Sequence, residues 1–224
     1  MLPISTSKWL SAGLMACAAA LAMPAIAGPV VYDNGAPNHL GGNNMSFALQ
    51  AEDFILTADT TISDVHFWSL ETNLAYRNGF FWGLYSNVGG SPSAAISSGF
   101  QATVSRTVTG AGAFGDFEIL NEFNVTPTAL TAGITYWLVL HNGAFGNRTD
   151  DGLDFLWETT ALAGRLGGQE DLNDGFGFQS NGVEHAFQLT GPNAVNVPEP
   201  MTGGLVAAAL AALMLTRQRA RRRN

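Results

Sequence analysis

The sequence predicts an all-β fold, an antiparallel β-sandwich of jelly-roll type spanning residues 28–192, and three observations lead there. Several runs alternate with a period of two, as Ile134, Tyr136, Leu138 and Leu140 do against Thr135, Trp137 and Val139. Gly, Asn, Ser and Pro cluster between such runs, the punctuation of short strands joined by turns. No stretch between residues 28 and 192 holds a helical period over several turns, so no helix of any length is expected there.

Taken in order, residues 29–33 read as a first short strand, followed by a loop through Asn34-Gly35 and Gly41-Gly42-Asn43-Asn44. Residues 46–56 put Phe47, Leu49 and Ala51 on one phase and Phe54 and Leu56 on the other; a bulge near Glu52 or Asp53 would reconcile them. Residues 61–69 alternate with Val65 and Phe67 against Asp64, His66 and Trp68. Residues 79–86 do so with Phe80, Trp82 and Leu84 against Phe81 and Tyr85. Turns follow at Asn87–Pro92 and at Thr109–Gly112, with residues 96–108 between them as two strands broken at Gly99. Further strands are expected at residues 117–125, 134–141, 153–159 and 184–190. About nine short strands at this spacing suit a sandwich.

Charge narrows the function. Residues 28–196 carry four basic residues (Arg77, Arg106, Arg148, Arg165) and no lysine against 17 acidic ones, a balance of −13. Such a field repels phosphate backbones, which excludes nucleic acid as a partner while leaving divalent cations and neutral sugars open. The one cysteine, Cys17, lies in the leading 27 residues, so a mature domain must be stable through packing alone.

Both ends read as addresses. Lys8 closes a short basic n-region, residues 9–22 are apolar, and Ala25-Ile26-Ala27 forms an A-x-A site with cleavage expected before Gly28. Residues 1–27 are therefore expected to be a secretory signal peptide, read by the Sec translocon and signal peptidase. A competing lipoprotein box at Leu14-Met15-Ala16-Cys17 fits less well, because the apolar run continues past Cys17. At the other end, residues 193–200 form a linker closing on Val197, Pro198, Glu199 and Pro200, which the prolines hold extended. Residues 201–216 are apolar and uncharged, expected as a transmembrane helix of roughly 24 Å. Arg217, Arg219, Arg221, Arg222 and Arg223 then orient a cytoplasmic tail over residues 217–224.

This order of VPEP, apolar run and arginine cluster resembles the PEP-CTERM sorting signal of exported proteins in exopolysaccharide-making Gram-negative bacteria. The resemblance implies recognition by an exosortase, a membrane cysteine transpeptidase. The enzyme would cut near the motif and pass the protein from an inner-membrane intermediate to the cell surface or extracellular matrix. A second likeness covers residues 53–98, with DFILTADTTISDVHFWS and FFWGLYSNVGGSPSAAISS, and Leu130 to Leu138. These runs are similar in rhythm to exported bacterial β-sandwich modules, which share the architecture of carbohydrate-binding modules. That likeness bears on fold more than on function.

Chemistry is sparse by comparison. No cysteine nucleophile survives signal cleavage, the histidines His39, His66, His141 and His185 show no HExxH or His-x-His spacing, and no G-x-S-x-G elbow occurs. No catalytic residue is assigned. Asp150, Asp151 and Asp154, in a glycine-containing acidic loop, are candidate calcium ligands, since calcium takes several oxygen donors. Trp68 and Trp137, opposite the main apolar phase of their strands, are candidate platforms for stacking on sugar rings. The expectation is a non-enzymatic surface or matrix protein, exopolysaccharide its candidate ligand; a secreted glycan-active hydrolase is the alternative.

Overall fold

A computed structural model describes residues 28–72, 75–112, 115–161 and 167–192. The expected signal peptide, linker, transmembrane helix and basic tail lie outside these residues, apart from Gly28 beside the cleavage site. The described chain is all-β, its strands antiparallel in two sheets, without an α-helix among the described residues.

The first sheet is built around β4 (Thr60–Glu71), the second longest strand. One edge of β4 pairs along its length with β8 (Phe117–Leu130), which carries β7 (Ser105–Ala111) beyond it. The other edge is shared end to end. Its middle, Asp64 to Phe67, takes β13 (Phe187–Thr190), which holds β1 (Val30–Asp33); its last three residues take β10 (Phe155–Thr160), which holds β2 (Pro37–Asn44). The second sheet runs in the order β12 (Gln179–Ser180), β11 (Gln169–Asp171), β3 (Leu49–Ile55), β9 (Thr135–Asn142), β5 (Phe80–Val88) and β6 (Ser91–Gln101).

The two sheets enclose one apolar core. Val65, Phe67, Phe155, Trp157, Phe187 and Leu189 of the first meet Phe54, Phe80, Trp82, Leu84, Leu138 and Leu140 of the second, all buried. Rings lock the layers together: Phe67 stands edge-on to Phe80 at 5.0 Å and to Trp157 at 6.1 Å. A smaller cluster of Leu49, Ala51, Phe81, Trp137 and Val139 occupies the opposite face of the second sheet, with Tyr85 and Phe178 packed on it. Strands β3 and β9 are therefore buried on both faces.

That double burial removes the expected bulge at Glu52. Strands β3 and β9 pair without a register shift from Gln50 opposite Leu140 to Ile55 opposite Thr135. The two apolar phases of residues 46–56 are two buried faces of one regular strand. The expected loop over Gly41–Asn44 is likewise corrected to strand, as β2. Gly42 makes this pairing feasible, since a Cβ there would sit 2.3 Å from the Trp157 carbonyl oxygen. The break placed at Gly99 falls instead between Gln101 and Ser105, and the turn expected at Thr109–Gly112 begins within β7.

Candidate functional site

The sorting residues Val197, Pro198, Glu199 and Pro200, the arginines from Arg217 to Arg223, and Ala25 and Ala27 lie outside the described residues. Of the two candidate sugar platforms, Trp137 is withdrawn. It is 0 % exposed in the outer cluster of the second sheet, and its indole N–H donates to Asn87 Oδ1 at 3.0 Å. Trp68 is half-buried on the outward face of β4, opposite Leu120 of β8.

The acidic loop does not gather its carboxylates. Arg77 takes Asp151 through a 2.7 Å ion pair and also donates to the carbonyls of Ser46, Asn147 and Thr149. The hydrogen bonds that Asp151 Oδ2 accepts from the Arg77 guanidinium hold its carboxyl below the usual carboxylate range. Asp150 accepts from the Gly152 N–H, and Asp154 acts on Asp116, whose carboxyl is pushed up by burial and then by Asp154. Asp150, Asp151 and Asp154 are thus absent from the metal-competent groups found among the described residues.

Two other groups converge instead, each with ligand atoms within 4.8 Å of one another: His39 with Glu118 and Glu158, and Glu52 with Asp53 and Glu184. The first lies on the outward face of the first sheet. Between Glu158, opposite Gly42, and Thr160, opposite Pro37, five residue steps of β2 face two of β10. The extra residues arch out, pinned by Thr159 Oγ1, which lies 2.9 Å from Asn38 Oδ1 and 3.0 Å from the Gly41 carbonyl. His39 rides on this arch with φ 60°. Its backbone N–H donates to Glu158 Oε1 at 2.9 Å, and its ring Nδ1 lies 2.5 Å from Glu118 Oε2 and 3.6 Å from Glu158 Oε1. Glu118 Oε1 accepts from Thr109 Oγ1 at 2.7 Å. Burial, and then the Glu118 carboxylate, push the Glu158 carboxyl up to about 7.

The second group sits between the sheets. Glu52 projects from the inner face of β3, and its Oε2 accepts the His185 backbone N–H at 2.9 Å and meets His185 Nδ1 at 2.7 Å. Trp157 stacks on the imidazole at 4.7 Å, and both Glu52 and His185 are fully buried. Burial lowers the His185 pKa to about 3, so the ring is neutral. Its Nε2 faces Asn43 Oδ1 at 3.2 Å, which places the single N–H on Nε2 and leaves Nδ1 as an acceptor. Glu52 must then donate. Burial, reinforced by the adjacent Glu184, pushes its carboxyl up to about 10 and keeps it protonated. Backbone from the following strands comes close here, since a Cβ on Gly168 would lie 2.7 Å from His185 Cε1.

Beside this pair opens a cleft of about 770 Å³, whose walls include Asn43, Gly41, Thr159, Ser180 and Glu184. Sequence reasoning missed both groups. A signal was available in Glu52 and Asp53, two carboxylates interrupting an apolar run, and in Glu158 directly after Trp157. His39 gave none, because its neighbours read as a loop. Comparison of the chain with protein-family models, with curated proteins and with solved structures finds no match.

Proposed function

We propose that this chain is an exported β-sandwich protein of jelly-roll type that is sorted by an exosortase and displayed at the cell surface or in the extracellular matrix. Its displayed domain binds, and does not transform, its ligand. The observation that carries this reading is the order Val197-Pro198-Glu199-Pro200, apolar run and arginine cluster, behind an acidic, cysteine-free passenger. The passenger supports it as an all-β unit that spends Trp82, Trp137 and Trp157 on its core and half-exposes Trp68. Trp68 is the residue offered to an exopolysaccharide ring. The most strongly raised carboxyl among the described residues, that of Glu52, does not favour a hydrolase. Glu52 is sealed from solvent, out of reach of the glycosidic oxygen that a glycosidase acid must protonate.

The sorting reading is tested by replacing Pro198, Glu199 and Pro200 with alanine and following size and location in the producing cell. Retention of the variant in the inner membrane, unprocessed, is the expected result. Arrival of the same shortened product at the normal destination would reduce the tail to a plain anchor.

A further inference from the structure

We propose that His39, Glu118 and Glu158 form a binding site for one divalent transition-metal ion of the zinc type on the outward face of the first sheet. The donor set is one imidazole nitrogen and two carboxylates brought in by three different strands, β2, β8 and β10. Imidazole suits zinc and its neighbours, whereas calcium and magnesium prefer oxygen alone.

Three further observations point to an ion. Glu158 is 0 % exposed and its Oε2 has no hydrogen-bond partner, a buried carboxyl oxygen left unsatisfied beside a second carboxylate and an imidazole. Each carboxylate has its other oxygen held from outside, Glu118 Oε1 by the Thr109 hydroxyl and Glu158 Oε1 by the His39 backbone N–H. Metal ligands are commonly oriented in this way by an outer layer of donors. Finally, among the described residues the basic partner of both Glu118 and Glu158 is His39, and the arginine ion pairs go to other carboxylates. A divalent ion would neutralise the two carboxylates together.

The spacing suits the assignment. Ligands about 2.0 to 2.2 Å from a tetrahedral zinc stand roughly 3.3 Å from one another. The three residues each offer a ligand atom within 4.8 Å of the others, and the 2.5 Å between His39 Nδ1 and Glu118 Oε2 opens towards that spacing by a small turn of the ring. That ring is free to turn, since the His39 side chain is 60 % exposed. The same exposure leaves a coordination position open to water, so the geometry assigns an open site rather than a closed structural one.

The test uses the full chain, purified in detergent and stripped with a chelator, titrated with zinc chloride by calorimetry. One equivalent is expected to bind, and His39→Asn is expected to weaken it by about 100-fold or more, beyond the 10- to 100-fold typical of outer-layer changes. Asparagine tolerates the left-handed backbone at this position, so the metal-free variant should match the parent in circular dichroism. Thr109→Ala should weaken binding by roughly 10-fold while leaving the stoichiometry at one. His66→Asn, at a separate His66–Asp64 contact of the same sheet, should leave the affinity unchanged. Equal affinity in the parent and in His39→Asn would overturn the site, as would the absence of a saturable event. Displacement of the zinc by an equal concentration of calcium would overturn the class of metal.

Discussion

Replacing Glu52 with glutamine should change how the stability of this protein depends on pH, and the size of the change follows from the proton count of the Glu52–His185 pair. In the folded state the pair holds one proton from about pH 3, the pKa of His185, to about pH 10, that of Glu52. When unfolded, the two groups return to ordinary values of 4.5 and 6.5. The carboxyl, raised in the fold, contributes stability that is fully present below 4.5 and declines as the pH climbs from there towards 10. The histidine, depressed in the fold, contributes stability that is present above 6.5 and lost as the pH falls towards 3. Between 4.5 and 6.5 the two slopes cancel, and above 6.5 only the carboxyl slope remains.

Glutamine keeps the shape, and its NH₂ can still donate to His185 Nδ1, but it has no proton to release. The stability of the parent relative to Glu52→Gln should therefore fall by roughly 1.4 kcal/mol per pH unit, or about 4 kcal/mol between pH values of about 5.5 and 8.5. Glu158, also raised, titrates in both proteins and cancels in the difference. Urea unfolding at several pH values, read as the difference in extrapolated free energy, supplies the measurement. Parallel profiles for the two proteins across this range would refute the protonated carboxyl.

Two further outcomes are expected from packing and from the Arg77 cluster. Phe67→Ala removes a ring that touches both sheets and should cost about 3 to 5 kcal/mol in urea unfolding; a loss below about 1 kcal/mol would mean that the sheets do not depend on that contact. Arg77→Ala releases residues 147–151 from the Ser46 carbonyl side and should cost about 2 kcal/mol, with faster proteolytic cutting of that loop. An unchanged cutting pattern would contradict the anchoring role.

The strands that were legible in the sequence are those with a local pattern. β4, β5 and β9 fall within a few residues of their expected limits, and of the expected face Tyr136, Leu138 and Leu140 lie in the core while Ile134 is 48 % exposed. Alternation failed for Trp137, because it reports two faces and cannot say whether a second layer covers the outer one. Phe178, some forty residues away in sequence, helps to do so. Composition failed for β2. Glycine and asparagine favour turns locally, yet Gly42 is needed against the Trp157 backbone, and the strand exists through its pairing with β10. The same misreading hid His39. The buried carboxylates stayed illegible for a related reason: only the assembled sheets bring Glu118 to Glu158, or Glu52 to His185.

The pairing of β1 with β13 sets an order of events. Val30 lies opposite Thr190, and the Gly191 N–H closes on the Pro29 carbonyl at 2.9 Å. β13 is the sheet neighbour of β1, and it is the last of the described strands in chain order. A chain threaded outward from its amino end would present β1 to solvent long before its neighbour arrived. On such a route completion of the sheet would wait until β13 had crossed, and the half that emerged first would be open to proteases and chaperones in the interval.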